Sequence, residues 1–349
     1  MKFLLVVLVA LSSASATQSK VASDLNEQGL AASEKLQFAE AKKLYGESIA
    51  MYQELGPSYK AHIGVVKMNL AQVYGAEGNR GDCAKLLEES VALLRGSLGI
   101  ENVNSLTAAN ILGGMYMMLG ENARASELFN ELLPIERKLY PNDVQLARTL
   151  AGLASLQMRG GHADGGMPIA EEALAVTLRA EGDDTLDAAL SYANLAEGHR
   201  LLGRPARALP LFRKSRAIYE RLLGPEHARV SSVMTQEGLM EMAEGKLGTA
   251  EQTLTRALEI VEKSCPRCTY ERVAAENNLA VLRIRQGKYD EADRLLSDVL
   301  SLQDKPSALP AQEIAVTLQS LAVVRQKERR YEDAERLKRR ADVLVGSYR

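Results

Sequence analysis

The chain has 349 residues, of which 46% are hydrophobic and 25% charged, a composition typical of folded proteins and not of disordered ones. Its formal net charge is −2 and the two signs are interleaved, which argues against the basic surface that nucleic-acid binding requires. Aromatic residues make up only 5% and Trp is absent, so we expect a core of Ala, Leu, Val and Met and an all-α fold.

The first residues resemble a secretory signal. Lys2 is followed by an apolar run over 3–11, and Ala14-Ser15-Ala16 offers a cleavage site of small residues. We therefore predict a signal peptide at 1–16, a mature chain over 17–349, and residence in the secretory pathway, either secreted or in the ER lumen. An uncleaved amphipathic N-terminus or a misassigned start codon is the alternative. The apolar run is shorter than the roughly 20 residues that a membrane span needs, so we expect no membrane insertion.

A small residue recurs along the chain with a period of 42 residues, shortened once to 41. We call these eight positions the anchors: Ala41, Cys83, Ala125, Gly166, Ala208, Ala250, Ala292 and Ala334. A fixed period of this length is typical of proteins built from stacked repeats. Small side chains at the anchors allow two helices to approach closely, and a bulky one would force them apart.

Five residues before the anchor, six of the eight repeats have a glycine: Gly78, Gly120, Gly161, Gly203, Gly245 and Gly287. Each glycine stands between two segments of helical apolar periodicity, where the chain needs a left-handed residue to end one helix and begin the next. Each repeat is therefore predicted to be a helical hairpin. Leu36 and Arg329 replace the glycine in the first and last repeats, and terminal repeats are commonly atypical.

Several segments resemble the tetratricopeptide repeat family, in particular the 42-residue type found in kinesin light chain. They are Asn277-Asn278-Leu279-Ala280 and Gly287-Lys288-Tyr289-Asp290-Glu291-Ala292 in the seventh repeat, and Leu223-Gly224-Pro225-Glu226-His227 at the end of the fifth. The resemblance covers nearly all of 21–345 and implies an all-α, right-handed superhelical solenoid of about eight hairpins. Glu237 departs from the family pattern, because most other repeats have Leu at that position, and it raises a question about packing there.

The family resemblance also implies that the first helices of the hairpins line a concave groove for a peptide or partner segment. The residues that it places in the groove are Met68, Gln72, Asn110, Met117, Arg148, Met158, Arg159, Glu197, Arg200, Asn277 and Arg285. Basic residues outnumber acidic ones there, and methionines offer an adaptable apolar floor, which favours an acidic, partly apolar linear motif as the ligand. The alternative is that some of these residues are ordinary solvated or core positions.

Two cysteines, Cys265 and Cys268, form a C-x-x-C motif between two repeats. No histidine lies at metal-ligand spacing from them, so a zinc site with its four ligands is not expected. In an oxidising compartment a local disulfide is the simplest interpretation. A redox or disulfide-handling role for this pair is the alternative. Cys83, at an anchor, is expected to be a small buried thiol.

The sequence contains no phosphate loop, zincin or nucleophile-elbow motif. We therefore expect a protein-interaction scaffold, no enzyme activity and no cofactor. Self-association of the array is a further possibility.

Overall fold

The computed structural model describes residues 2–264, 269–301 and 311–346 of the chain. Within these residues it contains sixteen α-helices, a short 3-10 helix at Pro57–Tyr59 and no strand. The helices form eight hairpins, which we number 1 to 8 in chain order, each made of a first and a second helix. The predicted all-α class and the number of repeats are confirmed.

The chain divides into two compact units, of which the N-terminal unit spans Met1–Val176. Its helices are α1 (Lys2–Glu34), α2 (Phe38–Leu55), α3 (Lys60–Ala76), α4 (Arg80–Leu98), α5 (Val103–Leu119), α6 (Asn122–Leu139), α7 (Val144–Arg159) and α8 (Ala163–Glu181), the last of which continues past the end of the unit.

The C-terminal unit spans Thr177–Arg349. Its helices after α8 are α9 (Leu186–Leu201), α10 (Pro205–Leu223), α11 (Ala228–Ala243), α12 (Leu247–Ser264), α13 (Thr269–Arg285), α14 (Tyr289–Ser301), α15 (Ala311–Lys327) and α16 (Tyr331–Gly346). No helix in the described part of the chain is both long enough and apolar enough to span a membrane.

The turn within each hairpin is left-handed, as the glycine pattern predicts. The six glycines of the internal repeats have φ between 65° and 86°. Leu36 and Arg329, which replace them in hairpins 1 and 8, adopt the same conformation with φ of 58° and 62°. A side chain in this conformation costs about 1–2 kcal/mol, so the terminal turns keep the geometry of the repeat at an energetic cost.

The first helices begin at side chains that accept a hydrogen bond from the backbone. In four repeats the residue immediately before the first helix accepts a hydrogen bond from an N–H group in the first turn of that helix. These residues are Asn102 before α5, Asp143 before α7, Thr185 before α9 and His227 before α11. These four residues occupy equivalent positions in consecutive repeats although their side chains differ. The shared requirement is an acceptor for the unpaired N–H groups at the start of a helix.

The anchors lie where the two helices of a hairpin approach most closely, as predicted. The seven anchors that have a side chain are all buried. The remaining anchor, in the fourth repeat, is Gly166. A Cβ atom there would lie 2.9 Å from the carbonyl oxygen of Ala154 on the facing helix, so only glycine fits. Seven residues after two of the anchors, Ser48 and Ser90 each donate a hydrogen bond of 2.7 Å to a carbonyl of the first helix, which ties the hairpin together.

Candidate functional site

One side of each first helix packs against the second helices, and the opposite side carries a stripe of more exposed residues. In α11 this stripe is Ser232, Gln236, Leu239 and Ala243, whereas the residues between them are buried. Spacings of four, three and four residues keep the stripe on one side of a helix. We call the surface formed by these stripes the first-helix face and describe it for each unit separately.

In hairpins 6 to 8 of the C-terminal unit the first-helix face is apolar along its middle. Leu239, Val281 and Val323 occupy equivalent positions in α11, α13 and α15, and each is half-buried or exposed. The twelve stripe residues of these helices are Ser232, Gln236, Leu239, Ala243, Ala274, Asn278, Val281, Arg285, Val316, Ser320, Val323 and Lys327. None of the twelve is acidic, and Arg285 and Lys327 are basic.

Two polar groups on this face differ in their access to a ligand. The side-chain oxygen of Gln236 is buried and has no hydrogen-bond partner among the described residues. Arg285 donates one hydrogen bond of 2.9 Å to the carbonyl of Met242, which holds the guanidinium in place without neutralising it. A buried acceptor without a partner costs stability and is closed to a ligand, so of the two Arg285 is the group that a ligand on this face can reach.

Hairpin 5 carries a paired charge on this face. Arg200 forms two hydrogen bonds of 2.6 Å with Glu197 on the same helix, in a bidentate arrangement. Leu190, about two turns before Glu197, is exposed. The structure thus brings the predicted residues Glu197 and Arg200 together as an ion pair, and the basic group is not available alone.

The first-helix face of the N-terminal unit is mixed, with Leu30 and Met118 exposed on it, and its charge changes sign along the unit. Glu27 and Glu34 are exposed in hairpin 1, and Arg148 and Arg159 are exposed in hairpin 4. In hairpins 2 and 3 the equivalent middle positions hold Gln72, which is exposed, and Gly114. An added Cβ at Gly114 would meet nothing within 4 Å. Met117 is half-buried beside this face.

A pocket of about 360 Å³ is formed by residues of hairpins 1 to 3. An aromatic group forms part of it, with the rings of Tyr52 and His62 5.0 Å apart. The other lining residues include Ser23, Asn26 and Asn104. The family resemblance placed ligand-facing residues only on first helices. It therefore did not indicate this pocket, part of which is formed by Tyr52 of a second helix.

Four of the predicted groove residues are buried, which corrects the expectation that they face a ligand. They are Met68, Asn110, Met158 and Asn277. Met68, Asn110 and Asn277 occupy one equivalent position, which turns toward the neighbouring first helix and away from solvent. Small residues such as Ala151 and Ala193 at the same position in other repeats are a signal of close helix contact that could have shown this.

Asn110 and Asn277 serve the packing of first helices against each other. Asn110 accepts a hydrogen bond of 2.7 Å from Thr149 of the next first helix, and Asn277 accepts one of 3.1 Å from Thr317 in the same way. Asn110 also donates a hydrogen bond of 2.7 Å to the buried carboxyl of Glu136. Burial away from water raises the pKa of Glu136 and favours its neutral form.

The cysteines fall into two groups. Cys265 and Cys268 lie outside the described residues, so the predicted disulfide stays a prediction. Cys83 is buried and free, as expected for an anchor, and burial raises the pKa of its thiol. Among the residues that the structure describes, no group of three or more His, Cys, Asp or Glu side chains is arranged to hold a metal ion.

Comparison with known proteins identifies the repeats. Residues 145–221 and 187–263 match the family model for the tetratricopeptide repeat. No curated protein sequence matches the chain.

Solved structures show the same fold at low sequence identity. The apo form of RapI aligns with a TM-score of 0.59 over 80% of this chain and 96% of that chain, at 11% identity. BtubC (BKLC) from P. vanneervenii aligns with a TM-score of 0.51 over 66% of this chain and 90% of that chain, at 19% identity. Repeats of Podosopora anserina described as kinesin light chain align with a TM-score of 0.46 over 58% of this chain and 96% of that chain, at 20% identity.

The alignments with RapI and BtubC establish the fold, and the family match covers 145–263, the repeats at the middle of the chain. The same 42-residue pattern extends over all eight hairpins. The repeats over 145–263 are therefore tetratricopeptide repeats, as the residue pattern predicts, and the other hairpins share their spacing and fold.

Proposed function

We propose that this protein is an interaction scaffold that binds an extended peptide segment on the first-helix face of hairpins 6 to 8. Tetratricopeptide repeats are scaffolds for protein and peptide partners, and a repeat array presents a long surface made of equivalent positions. The observation that carries the proposal is the aliphatic row Leu239, Val281 and Val323 on that face.

The spacing of this row suits an extended chain. Packed helices lie roughly 8–10 Å apart, and an extended peptide advances about 3.3 Å per residue. A bound segment would therefore place one residue in about three against each first helix.

The charges of this face favour an acidic segment. Arg285 and Lys327 are exposed at the ends of α13 and α15, and no stripe residue of hairpins 6 to 8 is acidic. Charges of opposite sign on the ligand would steer its approach and select its orientation more than they would raise its affinity.

A selection from a phage-displayed library of random twelve-residue peptides tests this function. We expect peptides selected on the wild-type chain to combine aliphatic residues with Asp or Glu. Val281→Asp puts a charge in the middle of the aliphatic row and should weaken binding of the selected peptides at least about tenfold. Arg285→Glu together with Lys327→Glu should remove the preference for acidic residues.

Leu222→Asp is the matched control, because Leu222 is an exposed aliphatic residue on a second helix. It should leave binding unchanged. Equal binding to the wild type and to Val281→Asp would refute the proposed face, and a library that yields no binder would argue against peptide binding altogether.

Three predictions remain untested by the structure. A redox role would depend on Cys265 and Cys268, which lie outside the described residues, and nothing in the described residues favours it. Self-association would be visible in light scattering of the purified chain. The predicted signal peptide at 1–16 and residence in the secretory pathway would be tested by sequencing the N-terminus of the exported protein.

A further inference from the structure

Neighbouring hairpins meet through a recurring pair of apolar residues. One member lies eight residues after the anchor on a second helix, and the other lies thirteen residues before the next anchor on the following first helix. At five junctions the two residues belong to a common hydrophobic cluster: Ile49 with Leu70, Val91 with Leu112, Leu133 with Leu153, Leu258 with Leu279, and Leu300 with Leu321.

The junction between hairpins 5 and 6 has two charged residues at these positions. Arg216 of α10 takes the place of the aliphatic residue, and Glu237 of α11 takes the place of the leucine. The two departures from the repeat pattern face each other, with 3.0 Å between Nε of Arg216 and Oε1 of Glu237. The structure thus answers the packing question that Glu237 raised, because the replacement involves a pair of residues and not one.

The carboxylate of this ion pair is buried, Arg216 is half-buried, and the pair is poorly oriented. Glu237 is 1% exposed, and neither its Oε1 atom nor Nε of Arg216 makes a well-directed hydrogen bond in the described part of the chain. The second cation, Arg213, approaches the other carboxylate oxygen only to 3.9 Å. Removal of an ion pair from water is costly unless good hydrogen bonds compensate for it. The pair therefore couples the two hairpins more weakly than an aliphatic pair would.

The surroundings of Glu237 add further charge of both signs. On α11, Glu241 pairs with Arg213 at 3.0 Å, and it accepts a hydrogen bond of 2.8 Å from Thr253 of α12. On α10, Glu220 lies 3.9 Å from Arg216. Burial, opposed by Arg216 and Arg213 and reinforced by Glu241 and Glu220, raises the pKa of Glu237 to about 7.

The direction of the pH effect follows from this raised pKa. The closed junction binds a proton at Glu237 more readily than an opened junction does, because solvent exposure returns the pKa toward its ordinary value of 4.5. Closure is therefore favoured most strongly below pH 4.5, and this advantage is lost as the pH rises through about 7. Neutral Glu237 needs no compensation for a buried charge.

We propose that the junction between hairpins 5 and 6 is a proton-controlled weak point of the C-terminal unit, closed when Glu237 is neutral and opened more often when it is ionised. Leu239, two residues further along α11, lies on the first-helix face, so opening at this junction would loosen one end of that face. The junction proposal itself does not require a ligand.

Hydrogen exchange of the full chain, followed by mass spectrometry between pH 5.5 and 8, tests the proposal. After correction for the intrinsic exchange rate, protection of α11 is divided by protection of α15, whose junction has the pair Leu300 and Leu321. We expect this ratio to fall about tenfold from pH 5.5 to pH 8. A ratio that stays constant within twofold would overturn the proposal without any variant.

Glu237→Gln makes the side chain permanently neutral with little change in shape, and it should abolish the pH dependence of the ratio. Glu259→Gln is the matched control, because it removes a carboxylate that is mostly exposed on α12, and it should keep the wild-type pH dependence. If Glu237→Gln kept the wild-type fall, or if Glu259→Gln lost it, protonation of Glu237 would not be the cause.

Discussion

Each unit has a buried glutamate between packed helices, and the groups that surround the carboxyl differ between the two units. Glu136 of the N-terminal unit is fully buried and accepts a hydrogen bond from Asn110, a neutral partner. Glu237 of the C-terminal unit faces the cations Arg213 and Arg216. Burial raises the pKa of both. A carboxyl that is held by neutral groups is stable when protonated, whereas one among arginines leaves cations unpaired when it takes up a proton.

Of the variants that test this difference, Arg216→Leu is expected to change the free energy of unfolding most. This change leaves Glu237 without its nearest cation, and at pH 8 it should lower the free energy of unfolding by about 3 kcal/mol. The loss should be smaller at pH 5.5, where Glu237 is neutral. Urea denaturation followed by far-ultraviolet circular dichroism measures both values.

Arg216→Leu combined with Glu237→Leu restores the aliphatic pair of the other junctions and serves as the control. The double variant should be at least as stable as the wild type at pH 8. A loss as large as that of the single variant would mean that the ion pair is preferred at this junction, contrary to our interpretation.

A smaller effect is expected from Asn110→Ala in the N-terminal unit. It removes the donor to Glu136 and the acceptor for Thr149, and it should cost about 2 kcal/mol. The equivalent Asn277→Ala in the C-terminal unit should cost about 1 kcal/mol, because Thr317 also donates to the carbonyl of Glu313. Gln72→Ala, at an exposed position, should change the unfolding free energy little. If Gln72→Ala were as costly as Asn110→Ala, the hydrogen bonds of Asn110 would not explain its effect.

A further pair of changes compares the close contacts between first and second helices in the two units. A Cβ at Gly113 would lie 2.5 Å from the ring of Phe129, and one at Gly238 would lie 2.5 Å from the side chain of Leu254. Gly113→Ala should lower the free energy of unfolding by about 1–3 kcal/mol, because the rigid ring of Phe129 is also in close contact with Gly152 and has no room to shift. Gly238→Ala should lower it less, because the branched side chain of Leu254 can change rotamer.

Gly114→Ala is the internal control for these glycines, since nothing lies within 4 Å of the added atom. It should raise the free energy of unfolding by about 0.5–1 kcal/mol, because alanine is the better helix former. Thermal unfolding of the three variants measures the order. Equal effects at Gly113 and Gly114 would show that helix propensity, and not contact with Phe129, decides both.

Much of the fold could be predicted from the residue pattern because each repeat is made by local interactions. The anchors and the turn glycines locate both helices of every hairpin, and even Leu36 and Arg329 take the left-handed conformation that their position requires. The candidate site was harder to predict. Gln72, Arg159 and Arg285 are exposed as expected, whereas Asn110 and Met158 are buried. A periodicity of helical turns does not say which of two adjacent stripes faces a neighbouring helix.

The helical hairpin, its period of 42 residues and the absence of bulky groups at the anchors could be read from the residue pattern, since they depend on residues close together in the chain. Only the tertiary structure decided which first-helix residues remain exposed and how Glu237 is accommodated. Its partner Arg216 comes from the preceding hairpin, and burial and the distance between charges depend on how helices pack. The pKa of Glu237 is set by those two quantities, so the local sequence does not contain it.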